Sequence, residues 1–144
     1  MKTRPNGAVL ACVYSNASGS EVRDRIDETA RELGWQVPEW YVELKTRAAP
    51  VLGSADNMQR AADAAGLVDI RVDELPVDVG VTEAEQLVTY RFGQAHFSAW
   101  LSHLGSARAE EARIAAIAAI RPLMRPYQPI VVFLAATRPI KRAT

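Results

Sequence analysis

His96 and His103 are the two side chains of this 144-residue chain that exchange a proton near neutral pH without any perturbation. They stand seven apart, which on an uninterrupted helix puts them on one face two turns apart. Paired metal ligands on a helix stand four apart and need a third donor, and no neighbouring acid or cysteine supplies one, so no metal site is expected. His96 is the candidate catalytic residue, a general base accepting the proton of a hydroxyl nucleophile; the alternative is a hydrogen-bonded structural histidine. Around it lie Tyr90, Phe92, Phe97 and Trp100, four aromatics within eleven residues in a chain that is 7% aromatic. They suit either a core or the wall of a pocket for an apolar or aromatic small molecule. Tyr14 and Asn16, with Ser15 between them, leave the end of an apolar run, where ligands of open α/β sheets bind; the alternative is an ordinary capped turn.

Other chemistries are absent from the pattern. There is no Gly-x-Ser-x-Gly nucleophile elbow and no Gly-Lys-Ser/Thr phosphate loop, which removes the common hydrolase and nucleoside-triphosphatase readings. Seventeen basic residues balance seventeen acidic ones, so no electrostatic footprint for nucleic acid or an acidic membrane exists. The single cysteine, Cys12, excludes a disulfide framework within one chain and fits a reducing cytoplasm, where it reads as a small buried hydrophobe. No signal peptide is expected from the first residues, and neither apolar run approaches the roughly 20 residues that span a bilayer.

These residues need elements to hold them. Residues 8–14 and 130–136 are apolar without alternation, the pattern of strands covered on both faces. Val68, Ile70 and Val72 alternate with polar residues, Asp73-Glu74 interrupts them, and Leu75, Val77 and Val79 resume, predicting a half-exposed strand over 68–79, bent or bulged near Asp73. Ser18 and Glu21 predict a capping box that opens a helix through Val22, Ile26, Ala30 and Leu33, closed by Gly34. Residues 35–53, with prolines at 38 and 50, read as a covering loop with one short element. Ser54 caps a second helix that Gly66 ends. Thr82 and Glu85 predict another capping box before a long helical stretch with a break at Gly93, and residues 110–124 a last helix ended by Pro122 and Pro126. The expectation is one domain over 1–138, with a flexible tail at 139–144.

Several segments together resemble the C-terminal half of class I S-adenosylmethionine-dependent methyltransferases. Arg4-Pro5-Asn6-Gly7 resembles the turn that leads into the fifth strand of that family, and Ala8–Tyr14 that strand. Residues 56–72, a helix ending Ala64-Ala65-Gly66-Leu67 and feeding a strand, resemble the next helix and strand. Residues 90–100 resemble the substrate-cap helices of small-molecule members, and residues 129–136 the terminal antiparallel strand. The resemblance implies a partial Rossmann-like α/β fold, a three-stranded mixed sheet flanked by about four helices, with strands ordered fifth, seventh, sixth. It also implies a methyltransferase component in which Tyr14, Asn16, Tyr90, Phe92, Phe97 and Trp100 border a small-molecule substrate.

The departure from the family is the cofactor loop. All eight glycines stand alone and no Asp/Glu-x-Gly-x-Gly segment occurs, so S-adenosylmethionine binding is expected only with a complementary half. Without a fourth strand, Ala8–Tyr14 becomes an apolar sheet edge, which invites pairing. A homodimer or a heteromer through that edge is therefore expected, and the alternative function is a non-catalytic dimeric binding or scaffolding module.

Overall fold

The apolar runs become β1 (Ala8–Tyr14) and β3 (Ile130–Thr137), paired antiparallel from Ala8 opposite Thr137 to Tyr14 opposite Val131. β2 (Val68–Pro76) pairs antiparallel with the other side of β3, giving the order β1-β3-β2. The structure is a computed structural model and describes residues 6–139; Arg4 and Pro5 of the opening turn, and the expected tail beyond Pro139, lie outside the described residues. The expected strand order is present. The expected mixed sheet is not: both pairings are antiparallel, because β3 lies between the other two and runs against each.

Two compact units make up the chain. The sheet unit holds the described residues through Gly19, Glu43–Val77 and those from Pro129 onward. Its core joins Met58 and Ala62 of the helix α4 (Ala55–Ala64, numbered in chain order with α1 to α3 below) to Val132, Leu134 and Ala136. Period-two geometry then turns Leu10, Cys12, Phe133 and Ala135 to the opposite face. Leu10 is 78% exposed and Phe133 37%, and Cys12 is exposed as well. Burial of β1 and β3 on both faces is thus corrected, as is the buried Cys12: an unbroken apolar run here marks a strand with one face in the core and the other open. In β1, Ser15 N–H donates to Ile130 C=O (2.9 Å) and Arg138 N–H to Gly7 C=O (3.0 Å). The odd-numbered residues therefore direct their backbone groups to β3, and Ala8, Leu10 and Cys12 direct theirs to the outer edge.

β2 is irregular nearer its start than the expected Asp73. The register shifts between Val68 and Arg71, where Asp69 takes a left-handed φ of 52°, while Asp73 sits in register opposite Phe133. Aspartate tolerates that conformation better than most residues do. The strand also stops at Pro76, not at residue 79.

The helical unit, Ser20–Val42 with Asp78–Gln128, is built from α1 (Glu21–Glu32), α5 (Ala84–Phe92) and α6 (Ala95–Ile120). Ile26, Leu87, Phe97 and Ile120 are fully enclosed, each contributing about 1.5–3 kcal/mol of apolar burial. The α1 cap is Ser20, whose hydroxyl accepts from Arg23 N–H, not Ser18, which instead accepts from Ile130 N–H (3.0 Å). Likewise Glu83 and Gln86, not Thr82 and Glu85, form the capping box of α5. Gly93 breaks the helix as expected, and Gly105 interrupts α6 with φ 72° and ψ 167°.

More of the chain is helical than four helices would account for. The expected loop over 35–53 carries α2 (Glu39–Glu43), a π-helical turn over Leu44–Ala48 and α3 (Ala49–Leu52). In the wide turn Ala49 N–H reaches Leu44 C=O, so the helical path continues through Pro50, which has no N–H to give.

Candidate functional site

His96 opens α6, 4% exposed, in a nest of aromatic rings. Tyr41 stacks on it with centroids 3.9 Å apart and planes 6° from parallel; Phe97 lies at 4.5 Å and Trp35 at 5.9 Å. The Trp35 indole N–H donates to the His96 carbonyl (3.1 Å), and its ring stacks on Phe97 at 4.2 Å, tying the segment after α1 to the start of α6. His103, two turns along, is exposed.

Phe92 and Phe97 are core residues packed on each other at 5.1 Å, and half-buried Trp100 stands edge-on to Phe92 at 5.8 Å. Tyr90, on α5, is 41% exposed and belongs to a different face from Phe92. Of the four expected wall residues, three gather around the same packed cluster.

Beneath the nest lies a charge pair that spacing did not single out. Arg91 grips Asp27 with two hydrogen bonds, Nε to Oδ1 at 2.8 Å and Nη2 to Oδ2 at 2.6 Å, and its Nη1 donates to Gln94 Oε1 at 2.5 Å. Both side chains are largely buried, and the guanidinium lies 5.5 Å from the Phe97 ring centroid. Burial works against the Arg91 charge. The bonds and charge of Asp27, with a smaller contribution from Tyr41, outweigh it and hold the guanidinium protonated even more firmly than usual. The available sequence signal was an arginine on the apolar stripe Ala84, Leu87, Val88; its partner 64 residues away left none.

The sheet unit holds the second group of candidates. Ser15 is buried, donates its hydroxyl proton to Glu74 (2.5 Å) and accepts from Ala17 N–H (2.9 Å). Glu74 also accepts from Ala55 N–H (2.9 Å) at the start of α4; the Ser15 bond foremost, then this one, hold its carboxyl below the ordinary 4.5. Asn16 N–H donates to Gly53 C=O (2.7 Å), and its side chain fills the space where a Cβ on Gly53 would stand. Tyr14 is exposed at the strand end. On the open sheet face a shallow cavity of about 500 Å³ is lined by Leu10, Cys12, Phe133 and Ala135, with the Arg71–Asp73 ion pair (2.9 Å) at its rim.

These residues do not form a cofactor cradle by themselves. Around the end of β1 the hydroxyl and amide groups are committed to the chain's own backbone and to Glu74, and the one close backbone approach, at Gly53, is occupied by Asn16. Among the described residues no group of three or more His, Cys, Asp or Glu is placed to hold a metal ion, and no helix is long and apolar enough to cross a membrane. In comparisons with known proteins, no family model matches the chain and no curated protein matches it.

Proposed function

We propose that the chain is methyltransferase-like: the C-terminal, substrate-cap half of a class I S-adenosylmethionine-dependent methyltransferase acting on a small molecule, with a second chain needed to complete a cofactor site. The observation that supports this reading is the strand order β1-β3-β2 with β3 antiparallel to both neighbours, joined to the fifth-seventh-sixth order that the sequence resemblance implies. In this reading His96 accepts the proton of the substrate's nucleophile, and Phe92, Phe97 and Trp100 supply apolar surface beside it. His96 is enclosed under Tyr41, so the reading requires Tyr41 to leave the imidazole when substrate enters.

A second reading has its own observation: the end of β1 is filled by its own side chains. In that reading the chain is a non-catalytic dimeric binding or scaffolding module derived from a methyltransferase. Isothermal titration of S-adenosylmethionine and S-adenosylhomocysteine separates the two. The catalytic reading expects no heat from the isolated chain and saturable binding after addition of a chain carrying a glycine-rich cofactor loop and the missing strands. No binding in either case overturns it in favour of the second reading.

A further inference from the structure

The two edges of the sheet are built differently. The β2 edge carries a bulge at Asp69, the charges of Arg71, Asp73 and Glu74, and a terminal proline, Pro76, all devices that keep a strand from pairing with another chain. The β1 edge, Ala8–Tyr14, has no charge, no proline and no bulge, and Ala8, Leu10 and Cys12 point their backbone N–H and C=O groups along it. The helix α4 lies over β2 and β3, and the four-residue α3 is the helix that touches β1, on its core face beside Val9 and Val13.

From this asymmetry we infer that β1 pairs with β1 of a second copy, antiparallel about a two-fold axis at Ala11, making one continuous six-stranded sheet. Outward-pointing residues of β1 are even-numbered, and an antiparallel ladder exchanges hydrogen bonds only between outward-pointing residues of both strands. Among registers that meet this condition, one uses all seven residues: Leu10 of each copy opposite Cys12 of the other, Ala8 opposite Tyr14, Val9 opposite Val13, and Ala11 opposite itself. With no charged residue in the strand, a two-fold brings no like charges together. A copy is therefore a fitting occupant of this edge. The inference rests on the part of the preceding proposal that leaves β1 open to a second chain; a copy and a complementary half would compete for that one edge, so the pairing does not depend on methyl transfer.

The register makes a covalent test. The two Ala11 residues form a non-hydrogen-bonded pair with Cα atoms about 4.5 Å apart, within disulfide reach, whereas the two Cys12 residues lie diagonally about 8 Å apart, beyond it. Light scattering of the full chain should give twice its 15.8 kDa. Mild oxidation should leave the wild type uncrosslinked through Cys12 and crosslink Ala11→Cys in a Cys12→Ser background. Ala11 is exposed, although it lies on the same face as the core-packed Val9 and Val13, so each charged variant is first shown to be folded. Ala11→Lys and Ala11→Glu should each run as folded monomers by circular dichroism and light scattering, and an equimolar mixture should return to the dimer.

A wild-type monomer at tens of micromolar overturns the inference, as does a dimer indifferent to Ala11→Lys; a wild-type disulfide through Cys12 overturns the register. The outcome is separable from the catalytic reading. A dimer that never binds S-adenosylmethionine, with or without added chains, removes methyl transfer and keeps the interface, and a monomer that binds it with a complementary chain does the reverse.

Discussion

Truncating Arg91 to alanine strands the Asp27 carboxylate in a largely buried position, and an uncompensated buried charge costs about 3–5 kcal/mol. Urea denaturation of Arg91→Ala should show a loss of that size, while the paired change Arg91→Met with Asp27→Leu should recover most of it, because well-packed apolar residues replace a buried ion pair at little cost. A loss below about 1 kcal/mol for the single variant would place the pair in water. At this scale the sequence was informative about type and weak about placement. His96 and its aromatic neighbours stood out by composition. Tyr41 and Trp35, which enclose the imidazole, come from a segment 55 and 61 residues earlier, and no local spacing signals such a contact. The role of Ser15 likewise depends on Glu74, on a strand reached only after four α-helices.

Gly105 holds a conformation, φ 72° and ψ 167°, that belongs almost to glycine alone, and it separates the His96 end of α6 from the isoleucine-bearing half that reaches Ile120. Gly105→Ala is expected to cost about 1–3 kcal/mol, read as a lowered thermal midpoint. An unchanged midpoint would mean that α6 straightens without penalty. Elements with their own punctuation were legible: Ser54 accepts from Asn57 N–H as a cap should, and Gly93 ends α5. The helical path over 39–52 was hidden by Pro50, since only the π-helical turn before it allows the path to continue. The unalternating runs at β1 and β3 misled for another reason. Burial on both faces is one source of such a pattern, and an apolar face left open is the other.

For the whole molecule, the unguarded β1 edge makes stability a function of concentration. A two-fold dimer melts later as protein concentration rises, by mass action, whereas Ala11→Lys should melt at a concentration-independent temperature. Scanning calorimetry across a hundredfold range of concentration decides this, and a flat wild-type response would count against dimerisation. The α/β class was readable from the succession of patterns, whereas the strand order came only from the resemblance. The division into two units was not, since each is assembled from separated stretches of chain that no composition shift marks. That interleaving bears on synthesis. β1 and β2 are not paired with each other and are joined in the sheet by β3, the last of the three to leave the ribosome. Until residues 130–137 emerge, both strands are nascent chain with no template, while α1, α5 and α6 already have one another to pack against. The sheet therefore forms only once residues 130–137 are available, closed by β3 like a keystone. A chain interrupted before residue 130 would carry a finished helical unit and no sheet, with the apolar β1 and the charge-bearing β2 both left unpaired.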